Sequence, residues 1–169
     1  RNSTDSGISI VNSQNNILYN NSIENCSYGI YARTTQDLNI SQNTIKHALL
    51  DGIYLYQDQG SLLRNNTLRN NSGGMRLTSM NSKVLENHFY FNQFGIFLSL
   101  TGNLIQGNFI NNSSSAGIMT DSWSHGNVMT KNHLTNNSPN ARDLGSNSWD
   151  YNGSGNYWSD YNNVDRNHD

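Results

Sequence analysis

Apolar residues recur along the chain directly after a glycine, at Gly7-Ile8, Gly29-Ile30, Gly52-Ile53, Gly74-Met75, Gly95-Ile96 and Gly117-Ile118, in steps of 22, 23, 22, 21 and 22 residues. An Asn-x-apolar marker keeps the same beat at Asn21-Ile23, Asn43-Ile45, Asn66-Leu68, Asn87-Phe89, Asn108-Ile110 and Asn132-Leu134. Two independent markers in register over six copies define a repeat protein. After each glycine the apolar residues alternate, as in Ile8/Ile10, Ile30/Ala32, Ile53/Leu55, Met75/Leu77 and Ile96/Leu98, and a period of two means strand. A second piece brings Leu18, Ile40, Leu63, Val84, Ile105 and Met129, each three residues before the repeated Asn. The third piece is the apolar residue two beyond that Asn. No piece is long enough for a helix, and no helical stripe persists.

Strands this short cannot bury a face alone. Winding the chain into a solenoid stacks each strand on its equivalent one coil away, ~4.8 Å along the axis. The expected fold is therefore all-β, a parallel β-helix of six to seven coils, a rod roughly 30 Å long by that spacing. The repeated Asn residues, Asn21, Asn43, Asn66, Asn87, Asn108 and Asn132, are expected to form a ladder at a sharp corner. There Asn would supply left-handed backbone geometry, and its amide would bond the next rung. The period breaks after Asn136 and the sequence from Ser146 turns rich in Trp, Tyr and Gly, which divides the chain into repeats (1–145) and a C-terminal capping tail (146–169). Trp149, Tyr157 and Trp158 are the expected lids over the last coil. Only six residues precede Gly7, so either further coils come before it or that open end docks on another chain.

Composition sharpens this picture. Only 34% of the residues are hydrophobic and 31 of 169 are Asn, yet charged residues make 13%, the net charge is −2 and aromatics reach 10%, which is not the profile of a disordered chain. The apolar residues are few but regularly placed, giving a thin core. Near-zero charge with scattered Lys and Arg argues against nucleic acid, and no run reaches the length of a membrane span. No signal peptide is visible, as for a mature or excised domain. Cys26 is the only cysteine, so no internal disulfide can form. Ten Asn-x-Ser/Thr sequons, among them Asn20, Asn39 and Asn65, are consistent with a secreted setting, although so much Asn and Ser produces many by chance.

The Gly-Ile-x-Leu/Asn-x-Ile beat from Gly7 to Leu134, with the tail Gly155-Asn156-Tyr157-Trp158-Ser159-Asp160-Tyr161, resembles the right-handed parallel β-helix repeats of the NosD-like family, also called the carbohydrate-binding and sugar hydrolase (CASH) type. Similar tails close such repeats in archaeal surface proteins. The resemblance covers nearly all of the chain. It implies a right-handed helix of parallel sheets, an extracellular or cell-surface location, and sugar contact. It does not imply an enzyme, because the fold hosts lyases, epimerases, adhesins and spacers.

Alternate residues of the Gly-led strand share its outer face. That face would carry Tyr31, Tyr54, Tyr56 and Phe97 as an aromatic stripe with Arg33 and Arg76 beside them. Rings one coil apart, about 4.8 Å, nearly match a sugar unit in an extended glycan, and Arg offers a fork to hydroxyls or uronate carboxylates. The plainer reading is a cross-strand ladder that stabilises the sheet. The acids Asp37, Asp51, Asp58, Glu86 and Asp121 fall at different positions in different coils, Asp58 having Thr35 and Met80 as column neighbours. Asp51, Asp58 and Asp121 read as solvated corner residues, so no catalytic pair is assigned. Copper, which the NosD name suggests, is disfavoured: His88 and His133 share an outward column with Phe109 between them, His47 and His125 stand alone, and Met75 and Met129 read as core. Asp165, Asn167 and Asp169 resemble the opening of a calcium loop without its later Gly and acidic ligand. The expected protein is a non-catalytic, exported spacer with a sugar-contacting face. A polysaccharide (uronan) lyase or epimerase and an end-to-end assembling sheath subunit are the rivals.

Overall fold

A computed structural model describes residues 5–160, and among these there is no helix. Three parallel sheets of seven strands each wrap one interior. The first is built from Ile8–Gln14, Ile30–Gln36, Asp51–Gln59, Gly73–Met80, Phe94–Ser99, Ala116–Thr120 and Ala141–Arg142. The second runs from Ile17–Tyr19 to Ser146–Ser148, and the third from Ser22–Glu24 to Tyr157–Trp158. Each coil visits the sheets in turn, so sequence neighbours lie in different sheets and equivalents one coil apart are hydrogen-bonded. This is a parallel β-helix of seven coils.

The four apolar columns form the core: Ile30, Ile53, Met75, Ile96 and Ile118 stack in one, Ile45, Leu68, Phe89, Ile110 and Leu134 in another, all fully buried. The recurring glycine is explained by close approach of neighbouring coils. A Cβ at Gly74 would stand 2.3 Å from the Gly95 carbonyl oxygen and 2.7 Å from the Phe89 ring, so no side chain fits.

The ladder Asn residues act through their amides. Asn66 Nδ2 donates to Asn87 Oδ1 at 2.9 Å and to the Ile40 carbonyl at 2.8 Å, while its backbone N–H also donates to Asn87 Oδ1. The same bonding links Asn21 to Asn43, Asn43 to Asn66, Asn87 to Asn108 and Asn108 to Asn132, and it continues to Asn156. Left-handed geometry, however, falls one residue earlier, at Asn20, Gln42, Asn65, Glu86, Gly107 and Lys131, with φ between 55° and 67°. The preceding residue turns the chain, which leaves the ladder Asn free to aim its side chain inward. Two further corners carry ladders of their own, Asn71–Asn92 and Asn103–Asn127–Asn147.

The expected boundary at 145/146 falls inside a coil. Ser148 opposes Val128 and Trp158 opposes Leu134, so the tail completes the seventh turn of the helix before it ends. Trp149 and Trp158 pack on the core with ring centroids 5.3 Å apart and cover its end. Tyr157 does not. The strand's alternation turns it outward, 55% exposed, onto the ring of His133 at 4.2 Å. Asp165, Asn167 and Asp169 lie outside the described residues.

Candidate functional site

The outer face of the first sheet gathers the aromatic residues. In register, Ser9, Tyr31, Tyr54, Arg76, Phe97 and Met119 form one column and Val11, Arg33, Tyr56, Thr78 and Ser99 the next. Tyr31 and Tyr54 lie 5.7 Å apart, centroid to centroid, and Tyr56 is 6.1 Å from Tyr54. Tyr28, just before Gly29, joins them at 5.4 Å from Tyr31 and 5.7 Å from Tyr54. Tilted packing at these separations is favourable for rings and holds four phenols in one cluster. Arg33 sits 6.0 Å from the Tyr56 ring.

Arg76 is held from three sides. Its guanidinium lies 4.8 Å from the Phe97 ring centroid and 4.9 Å from that of Phe94, and Nε donates to Asp51 Oδ2 at 2.9 Å. Phe97 thus stacks against the guanidinium on the same face, and Tyr28 adds a ring that counting from the glycine does not reach. Asp51 is buried, not a solvated corner residue; it takes the position before the glycine, and its column continues through Gly73 to Phe94. Gly73 leaves the room, since a Cβ there would stand 2.0 Å from Asp51 Oδ1 and 2.3 Å from the Phe94 ring. Burial raises the Asp51 carboxyl above its ordinary range, and the hydrogen bond and charge of Arg76 oppose that shift. Burial likewise raises the Tyr28 and Tyr54 phenols, so both stay protonated at neutral pH and serve as hydrogen-bond donors. A phenol acting as a base needs the opposite shift.

Beyond Arg33 and Tyr56 the strands continue into a groove of about 680 Å³ lined by Thr34, Gln36, Gln57, Gln59 and their neighbours. Asp58 borders it from inside. It is 2% exposed, and its carboxylate accepts from Thr35 Oγ1 and Ser61 Oγ at 2.8 Å and Ser82 Oγ at 3.2 Å. This too departs from a solvated corner. A register shift between Thr78 and Ser79 places Ser79, not Met80, opposite Asp58. Asp121 is a turn residue whose carboxylate accepts from the Trp123 N–H at 3.0 Å.

A model of the family described as periplasmic copper-binding protein (NosD) matches residues 1–163. The chain belongs to the NosD family. Among solved structures, two mutants of the periplasmic alginate epimerase AlgG, T265N and T265N/T268M, each superpose with a TM-score of 0.76 at 21% identity over 96% of this chain. The chain spans 37% of the epimerase's length, and at this identity the likeness is one of fold. No curated protein matches.

The NosD description raises copper, and the side chains can be tested for it. Among the described residues no three His, Cys, Asp or Glu side chains converge. Phe109 separates His88 from His133, its ring 6.2 Å from one and 5.2 Å from the other. His125 Nδ1 lies 2.9 Å from the Trp123 carbonyl, and Cys26, Met75 and Met129 are buried in the core. These residues do not assemble a copper site.

Proposed function

We propose that this chain is a non-catalytic β-helix element of a protein outside the cytoplasm, a rigid spacer whose first sheet contacts carbohydrate. The observation that carries the reading is the packed phenol cluster of Tyr28, Tyr31, Tyr54 and Tyr56 on an outer sheet face, flanked by Arg33 and the clamped Arg76. Ring faces suit the apolar faces of sugars, protonated phenols donate to hydroxyls, and the adjoining amide-lined groove offers more polar contacts. The periplasmic names of the family and of AlgG support a location in the cell envelope or beyond. A glycan array comparing the native chain with Tyr31→Ala/Tyr54→Ala tests it. Binding lost in the variant is expected; equal binding, or none by either protein, refutes the contact face.

One observation favours a second reading, an uronan epimerase or lyase. The buried Asp51 carboxylate and the half-buried Arg76 stand beside Tyr28 and Tyr54, which puts acid, cation and phenols together in a fold shared with an alginate epimerase. Incubation with polyuronates, followed for unsaturated ends and changed uronate composition, separates the two. Any turnover that Asp51→Asn abolishes replaces the spacer reading.

A further inference from the structure

The third sheet has an outer face of its own. In register it carries Thr44, Thr67, His88, Phe109, His133 and Tyr157 in one column and Lys46, Arg69, Tyr90 and Asn111 in the other. At its middle coils a groove of about 600 Å³ is lined by Thr44, Thr67, Arg69, Asn70, Tyr90 and Phe91. Phe91 turns the corner with φ 54°, where neighbouring coils place Asn70 and Asn112. Left-handed backbone suits Asn and is a strained position for a bulky aromatic. The ring gains no burial in return, being 60% exposed. Folding therefore gives no reason for Phe91, and strain held beside a groove points to a role in binding. The charges agree. Lys46 is engaged by Glu24 at 2.6 Å, whereas Arg69, one coil on, forms no ion pair among the described residues.

We propose that this groove is a second glycan subsite, separate from the first-sheet face, that takes a sugar unit bearing an anionic substituent. Tyr90 and Phe91 pack against the sugar and the Arg69 guanidinium receives the anion in a charge-assisted hydrogen bond. Thr44, Thr67 and Asn70 offer donors and acceptors to the remaining hydroxyls.

Affinity electrophoresis of the whole chain through gels containing a polyuronate, a sulfated glycan or a neutral glucan tests the assignment. Retardation by one or both polyanions and not by the glucan is expected, and the gel that retards identifies carboxylate or sulfate as the anion. Arg69→Gln should weaken it about tenfold or more, as loss of a charge-assisted hydrogen bond implies. Phe91→Asn should also weaken it while raising the thermal midpoint, so a binding loss cannot be blamed on unfolding. Tyr31→Ala/Tyr54→Ala should leave this retardation in place even if first-sheet binding is absent. No retardation by either polyanion, equal retardation by the glucan, or unchanged retardation in both Arg69→Gln and Phe91→Asn overturns the proposal.

Discussion

Replacing Asn87 by Ala tests how the corner ladder holds the coils. Asn87 is fully buried, and its Oδ1 accepts from the backbone N–H and the Nδ2 of Asn66, both at 2.9 Å. Its Nδ2 donates to the Leu63 carbonyl at 3.0 Å, the Leu85 carbonyl at 3.1 Å and Asn108 Oδ1 at 3.0 Å. After truncation the Asn66 N–H loses its acceptor inside the protein, which costs about 1–3 kcal/mol. The Asn66 side chain keeps its bond to Ile40, and Asn108 Oδ1 keeps the Asn87 N–H at 2.9 Å, so the remaining losses are ordinary hydrogen bonds of about 1 kcal/mol each. One Nδ2 hydrogen of Asn66 and the two of Asn87 lose such bonds, so the sum is roughly 4–6 kcal/mol, a large share of a domain stability of about 5–15. Asn21 is the control. It heads the same ladder, half-buried, with Nδ2 donating to Asn43 Oδ1 and the Tyr19 carbonyl, and Asn21→Ala should cost only about 1 kcal/mol. Urea unfolding followed by circular dichroism, with hydrogen exchange to detect coils opening separately, measures both. Equal losses in the two variants, or a loss below about 0.5 kcal/mol at Asn87, would refute the reasoning.

Gly73→Ala should displace Asp51 and Phe94, lower stability by about 1–3 kcal/mol through overpacking and weaken glycan contact at the first sheet, all read from melting curves and binding to an array hit. Asp58 supplies a pH test. Burial raises its carboxyl above the ordinary 3.8, with the Ser61, Thr35 and Ser82 hydroxyls opposing, so its contribution is full below the unfolded pKa and is lost as pH rises through the folded one. Asp58→Asn should therefore gain stability relative to the native chain as pH is raised over that window in urea titrations; a constant or falling difference contradicts the burial argument. Trp158→Ala should uncover Leu134 and cost about 2–3 kcal/mol, less than a fully buried Trp, with hydrogen exchange rising first in the last coils.

The core was legible in the sequence because an interior position tolerates only what its neighbours above and below tolerate. Hence Ile53, Met75 and Ile96 keep one column, and the Asn ladder shows itself by spacing. Outward positions face no such demand, so their grouping depends on local detail. Tyr31, Tyr54 and Arg76 could be placed by counting from glycine, but Tyr28, Asp51 and Phe94, each one residue before it, meet through the space left at Gly73. Reading that preceding column would have exposed them. Thr35 lies beside Asp58 as counted, but on the other side Ser79 replaces Met80 because one coil drops a residue between Thr78 and Ser79, which no fixed offset reveals. The seventh coil was hidden in the tail since its corner between Ser148 and Tyr157 is longer than the equivalent ones, although Asn147 and Asn156 already continue two ladders.

Every statement about the two faces rests on register, with Tyr31, Tyr54, Arg76 and Phe97 on consecutive rungs of one parallel sheet. Nuclear Overhauser spectroscopy of the labelled chain measures that register directly. The account expects interstrand amide cross-peaks linking Tyr54 to residues around Tyr31 and Arg76, each more than twenty positions away in sequence. Close Hα–Hα contacts of antiparallel pairing, or cross-peaks joining Tyr54 to Leu62–Arg64 as a hairpin partner, would contradict it.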